Sequence, residues 1–271
     1  MLERAMPTKM RILSLGAGVQ STTLALMAAH GEISPGPDAA IFADTGDEPE
    51  ATYAHLTWLM SAGVLPFPIH IARPDKALST ALKDGDESAR IPFYVGAGGI
   101  GMRQCTRNWK LRPIRRETRR LLGKSAKSYI APGTVEAWIG ISTDEILRVK
   151  PSTIQFIVNR HPLIELGMRR SDCEGWLQSH GYSIPAKSSC VFCPFKGNGQ
   201  WAEMKSGDPT SWMKAISMDR WLREPAQVSR FHGSLYVHRS RTSLAEVELD
   251  HKGRRPEPTP FGDECEGVCG V

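Results

Sequence analysis

Two cysteines three residues apart, Cys190 and Cys193, stand in an irregular stretch and are followed by Pro194. A CxxC can be a redox pair, half of a zinc site or half of an iron–sulfur site. Four further cysteines stand at positions 105, 173, 265 and 269. The N-terminus, MLERAMPTKM, lacks the apolar core of a secretory signal, so metal ligation or redox chemistry is expected of these thiols rather than structural disulfides. Cys173 is the exception. It sits in a helical stretch beside Trp176 and Leu177 and reads as a small buried apolar residue.

A second constellation is Ser14-Leu15-Gly16-Ala17-Gly18-Val19-Gln20-Ser21-Thr22, directly after the apolar run MRILSL. Small residues let a backbone approach an anion closely, and the helix that follows aims its free N–H groups and positive dipole at the same spot. Ser21 and Thr22 can add hydroxyl donors. The motif is neither GxxxxGK[ST] nor GxGxxG, since Ser21 takes the sixth position after Gly16 and Gly18. By itself the segment suits a phosphate cradle or an ordinary tight strand-to-helix turn. A third constellation is basic. Arg112, Arg115, Arg116, Arg119 and Arg120 share one helical face at i, i+3, i+4, i+7 and i+8, opposite Leu111, Ile114, Thr118, Leu121 and Leu122. Residues 103–127 carry ten basic side chains against the single acid Glu117, a local charge of +9 in a chain whose net charge is +5. Such a face suits an anion: RNA or DNA phosphates, a nucleotide phosphate, or an acidic thioredoxin-like partner.

The elements that must hold these groups alternate. Strands are expected at 10–15, 39–43, 67–72 and 137–141. Helices are expected over 21–29, from Pro49 to about Ala62, and over 171–180, the last with Ser171 and Glu174 as a capping box. Residues 84–104, rich in glycine, read as a surface loop or lid. The β–α–β alternation predicts an α/β fold, a Rossmann-like parallel sheet with helices on both faces, followed by an irregular C-terminal extension. The expected organisation is a disordered 1–9, a nucleotide-binding domain over 10–204 that carries the cysteine cluster, and an extension over 205–271 ending in a mobile tail. With 41% hydrophobic and 23% charged residues and no apolar run of about 18, the chain is expected to be globular, cytoplasmic and free of membrane contact.

The second strand ends in Phe42-Ala43-Asp44-Thr45-Gly46-Asp47-Glu48-Pro49-Glu50-Ala51-Thr52-Tyr53. This resembles the DTG…PET-Y segment of the phosphoadenylyl-sulfate (PAPS) reductases. Gly18-Val19-Gln20 resembles the Gly-x-Gln variant of their PP-loop. The resemblance implies the adenine nucleotide α-hydrolase fold. It further implies that the first loop (Ser14, Gly16, Ala17, Gly18, Gln20, Ser21, Thr22) holds the phosphates of ATP or of a sulfonucleotide, with Ala43, Asp44, Thr45 and Gly140 near the adenosine. Where the reductases carry Gly-Leu-Arg-Arg-Glu, this chain has Gly140-Ile141-Ser142-Thr143-Asp144, so two phosphosulfate-binding arginines are missing.

The separation of Cys105 from the CxxC, and the run Cys105…Lys110…Pro113, resemble the adenylyl-sulfate reductases, which hold a 4Fe-4S cluster on a Cys-Cys pair and a CxxC. Here Gln104 replaces one cysteine of the pair. Cys105, Cys190 and Cys193 then form a three-thiolate set that is similar to that of the iron–sulfur tRNA thiolation enzymes; zinc is the alternative occupant. The tail, Glu264-Cys265-Glu266-Gly267-Val268-Cys269-Gly270, resembles in two halves the Glu-Cys-Gly motif whose cysteine attacks the sulfonucleotide, which makes Cys265 and Cys269 catalytic candidates.

The expected activity is AMP-forming, ATP-dependent sulfur transfer through an iron–sulfur cluster to an adenylated acceptor, a nucleic acid by the basic face, with sulfur from a thiol donor or cysteine desulfurase. A thiol-dependent PAPS or adenylyl-sulfate reductase and a non-catalytic nucleotide- or nucleic-acid-binding module are the alternatives.

Overall fold

The computed structural model describes residues 9–249. Strand β1 (Met10–Leu15) leads into α1 (Val19–Ala29), β2 (Ala39–Ala43), α2 (Glu50–Leu59), β3 (Ile69–Ala72), α3 (Leu78–Lys83) and the short β4 (Tyr94–Val95). A π-helical turn, Thr106–Leu111, then runs straight into α4 (Arg112–Leu121). After it come β5 (Val135–Ile139), β6 (Ile157–Arg160), α5 (Pro162–Glu165), α6 (Arg170–Ser179), α7 (Asn198–Gly207), α8 (Pro209–Trp221), α9 (Pro225–Arg230) and β7 (Leu235–Tyr236).

Five strands form one parallel sheet in the order β3-β2-β1-β5-β6. Strand alternation divides the side chains between the two faces. Leu13, Leu15, Ala40, Phe42 and Trp138 pack against α1, α2 and α6 through Leu24, Leu56 and Leu177. Ile12, Ile41, Ala72 and Val135 pack against α4 through Ile114, Leu121 and Leu122. Helices therefore cover both faces, as the near-continuous apolar strands require. The chain extends the sheet from β1 towards β3, then returns to the other side of β1 with β5. The carboxyl ends of β1 and β5 thus flank the topological switch point, where open α/β sheets bind ligands.

Several expectations change. The capping box of α6 is not Ser171–Glu174; the Arg169 N–H donates to Asp172 Oδ2 at 2.7 Å. The 84–104 stretch is not a surface lid. Ala89, Ile91 and Phe93 are buried, and Tyr94–Val95 pairs antiparallel with β7. They belong to a second core shared with Leu78, Trp109, Phe192, Trp201, Trp212 and Met218. The extension expected to be irregular contains α8, α9 and β7, and the expected boundary at 204/205 falls inside α7, with both sides sharing this core. Periodicity failed here because the buried stripe of α8, Ser211, Trp212, Ala215, Met218 and Asp219, mixes polar with apolar residues, and α9 has no buried residue. Lys9 already pairs, its N–H donating to the Thr134 carbonyl at 2.9 Å. Residues 1–8 and 250–271, including Cys265 and Cys269, lie outside the described residues. Among the described residues no helix is long and apolar enough to cross a membrane.

Burial also sets an acid limit. His55 and His238 are both held down to about 4, His55 by burial and His238 by burial and then by Arg239. Below the ordinary histidine value of 6.5 the unfolded chain takes up protons that the folded chain refuses until about 4. The stability from these neutral rings is therefore complete above that window and is lost as pH falls through it. His55→Gln should shrink the loss of denaturant stability between pH ~7.5 and ~5 by roughly 1 kcal/mol, after allowing for partial exposure. An unchanged loss would remove His55 from the acid response.

Candidate functional site: a switch-point loop and a three-thiol pocket

The Gly16–Gly18 turn joins β1 to α1 at the switch point. Ala17 sits at φ 57, and the Gly16 N–H donates to Ser21 Oγ at 3.1 Å, so the loop is closed on the first turn of the helix. Gly140, one residue beyond β5, packs directly on this loop. A Cβ there would stand 3.0 Å from Ser21 N and 3.3 Å from the Gln20 carbonyl carbon, so only glycine fits without displacement. Ser14 points from the end of β1 with its buried Oγ unpartnered among the described residues, a donor available to a ligand. These three features suit a nucleotide phosphate. Others are already engaged. Thr22 Oγ1 pairs with His55 Nε2 at 2.9 Å. The Gln20 amide donates to Ser142 Oγ at 3.3 Å and Glu145 Oε2 at 3.1 Å, and its oxygen accepts from Arg170 at 3.0 Å. The loop and the whole of residues 12–27 are buried.

At the end of β2, Ala43 is buried, and Asp44 accepts from the Gly46 N–H at 2.8 Å, Tyr53 Oη at 2.8 Å and Arg73 Nε at 2.9 Å. Two of these partners hold the turn itself. Burial, then the hydrogen bond to Asp44, raises the Tyr53 phenol well above its usual range, so it remains a donor. Gly46 sits at φ +79 with Ala77 Cβ only 2.6 Å from where its own Cβ would be, which closes the turn to any larger residue.

Directly behind this turn lies the cysteine pocket. Cys105, Cys190 and Cys193 line it together with Thr45, Arg103, Lys110, Phe192 and Phe195. Three separate segments bring them in. Cys105 precedes the π-helical turn, a distortion frequent at functional sites. The CxxC loop turns on the Cys193 N–H to Cys190 carbonyl bond of 3.0 Å, and it docks on the β2 turn through Val191 N–H to the Asp47 carbonyl at 2.7 Å. Thr45 Oγ1 lies 3.2 Å from Cys190 Sγ and donates to Glu48 Oε1 at 3.1 Å. Glu48 and Lys110, 3% and 5% exposed, form an ion pair at 3.6 Å, and Cys190 Sγ lies 3.7 Å from the same carboxylate. Burial, then the Glu48 charge, pushes the Cys190 thiol well up, while Lys110 works in the opposite direction.

Among the described residues, the one trio of histidine, cysteine or carboxylate ligands lying within 4.8 Å of one another is His30, Glu32 and His180, at the C-terminal ends of α1 and α6. At least one pair of the three sulfurs therefore stands more than 4.8 Å apart, wider than the roughly 3.8 Å between sulfurs around one tetrahedral zinc at about 2.3 Å. The space between them is small, about 20 Å³, so any group larger than one water must move the lining. Cys173, fully buried between α1 and α6, takes no part.

The arginine face is only partly what its spacing suggested. Arg119 folds inward, over Phe156 at 5.2 Å, and donates to the Ser125 and Ser128 carbonyls at 2.8 and 2.9 Å. Arg120 clamps Glu117, and Arg116 donates to the Arg73 carbonyl and pairs with Asp75. Arg112 and Arg115 remain exposed and enter no ion pair among the described residues. A mixed role of this kind is invisible in spacing, because most partners come from outside the helix: Arg73 and Asp75 after β3, Ser125 and Ser128 after α4, and Phe156 before β6. Sequence reasoning also missed Glu48 as a buried acid: DTGDEPE holds four acids within seven residues, and no periodicity says which turns inward.

No family model and no curated protein matches the chain. Among solved structures it is similar to the phosphoadenylyl-sulfate (PAPS) reductase from Candida auris, solved as a phosphate complex. The identity is 14%, the alignment covers 66% of this chain and 76% of that one, and the TM-score is 0.42.

Proposed function

We propose that this chain is an AMP-forming, ATP-dependent sulfurtransferase whose sulfur chemistry takes place at Cys105, Cys190 and Cys193. One observation carries the reading: three thiols from distant parts of the chain line a single buried pocket that shares Thr45 with the carboxyl end of β2. The sulfur-handling groups therefore adjoin the carboxyl edge of the sheet. The resemblance of the β1 and β2 loops to those of the PAPS reductases supports the nucleotide assignment.

In this reading Gly16–Ser21 and the N-terminus of α1 hold the ATP phosphates, with Gly140 as the opposite wall and Ser14 as an added donor. An acceptor carbonyl oxygen attacks the α-phosphorus and expels pyrophosphate. Sulfide from an external donor then attacks the acceptor carbon, and the oxygen departs with AMP. Cys105, Cys190 and Cys193 would hold an iron–sulfur cluster, which would supply an iron site that keeps the sulfur nucleophilic. Lys110 stabilises the thiolates, and Glu48 fixes Lys110. Arg112 and Arg115 offer an anionic acceptor its exposed cations, which favours RNA or DNA as the acceptor class.

The test is product analysis with anaerobically purified protein, ATP, sulfide and pooled RNA or DNA. AMP and pyrophosphate should appear only with acceptor and sulfide both present, and the nucleic acid should gain sulfur. Sulfite release from adenylyl sulfate or PAPS, without AMP formation from ATP, would replace this reading with a reductase. Nucleotide binding without turnover would make the chain a binding module.

A further inference from the structure

At the C-terminal ends of α1 and α6, two histidines and a glutamate converge. His30 caps the C-terminus of α1, Glu32 follows two residues later, and His180 caps the C-terminus of α6. One ligand atom from each lies within 4.8 Å of the others, and all three residues are exposed. We propose that His30, Glu32 and His180 form a binding site for a borderline divalent cation, zinc by preference, which ties the ends of α1 and α6 together.

Four observations carry the assignment beyond proximity. His180 Nδ1 lies 2.8 Å from the Trp176 carbonyl, which can only accept, so Nδ1 carries the proton. This leaves Nε2 facing Glu32 Oε1, 3.8 Å away. Their separation is close to the roughly 3.4 Å expected between ligands about 2.1 Å from a tetrahedral ion.

Each ligand is also oriented by a further group, as metal-ligating side chains usually are. Glu32 accepts from Trp176 Nε1 at 3.1 Å, His30 Nε2 bonds Tyr182 Oη at 2.8 Å, and His180 has the Trp176 carbonyl. Trp176 stacks on His180 at 4.0 Å and meets His30 edge-on at 5.5 Å, which limits ring rotation. Finally, both histidines stand at helix C-termini, where the dipoles favour positive charge. Two imidazoles and one carboxylate, with the remaining positions open to water, suit zinc, nickel or copper rather than magnesium or calcium.

The site is distinct from the thiols, so the test must separate the two. Metal-stripped full-length protein is titrated with Ni²⁺, which the imidazole set binds well, and stoichiometry and thermal midpoint are followed in wild type, His180→Ala and Glu32→Gln. Glu32→Gln keeps an oxygen acceptor for Trp176 and removes only the anionic ligand. Both variants should lose one equivalent of Ni²⁺ and at least tenfold in affinity at that site. They should also lose the Ni²⁺-dependent rise in midpoint while keeping the metal-free midpoint within a few degrees in Glu32→Gln. Wild-type stoichiometry and affinity in both variants would overturn the proposal, as would a wild-type protein whose midpoint does not respond to Ni²⁺. If His180→Ala fails to fold, Glu32→Gln alone decides.

Discussion

Cys190→Ser is expected to strip the protein of bound iron and sulfide and of its brown colour, with little change in thermal midpoint. Serine is nearly the same size and keeps the contact with Thr45. The loop also stays anchored by Val191 on Asp47. An alkoxide is a far poorer ligand than a thiolate, so the metal and not the fold should respond. Iron and sulfide analysis after anaerobic purification reads the result, with Cys173→Ser as the control. That thiol is fully buried away from the pocket, so its replacement should cost stability and leave the metal content intact. Wild-type iron in Cys190→Ser, or equal loss in Cys173→Ser, would remove the pocket from metal binding and with it the proposed sulfur chemistry. Zinc in place of iron would keep the ligands and change the chemistry.

The largest effect on stability is expected from Glu48→Ala. It leaves the Lys110 ammonium, 5% exposed, buried without its carboxylate. Breaking one side of a buried ion pair costs about 3–5 kcal/mol, because the remaining charge keeps its desolvation penalty. Removing that charge as well should restore much of the loss, so Glu48→Ala combined with Lys110→Met should be more stable than Glu48→Ala alone. Denaturant unfolding of the two single variants and the double variant measures this coupling. Simple additivity would show that the pair does not act as a unit. Because Glu48 also accepts from Thr45 and lies beside Cys190, the same variants should alter metal retention in parallel.

The legible part of this chain was the part that is local. Strands at 10–15 and 39–43 fall where their apolar runs lie, because a strand buried on both faces needs no partner-specific pattern. The fourth main-sheet strand is displaced, at Val135–Ile139 rather than 137–141, because the run AWIGI continues past the last ladder residue into the turn that packs on Ser21. Helix α4 showed its apolar side correctly, through Ile114, Leu121 and Leu122, yet its arginines were read as one surface. Arg119 shows why that fails. A long side chain at the edge of a helix face goes wherever carbonyls and an aromatic ring are offered, and those come from residues 125, 128 and 156.

Sequence alone determined the strand–turn–helix alternation, the small residues of the first loop and the supply of thiols, since each depends on neighbouring residues and their steric needs. Tertiary structure alone decided that Glu48 rather than Asp47 faces Lys110. It also decided that His30, Glu32 and His180 share a corner. Each of those meetings is made by packing elements against a sheet whose strand order no local pattern encodes, so the partners of a loop side chain exist only once the sheet has assembled.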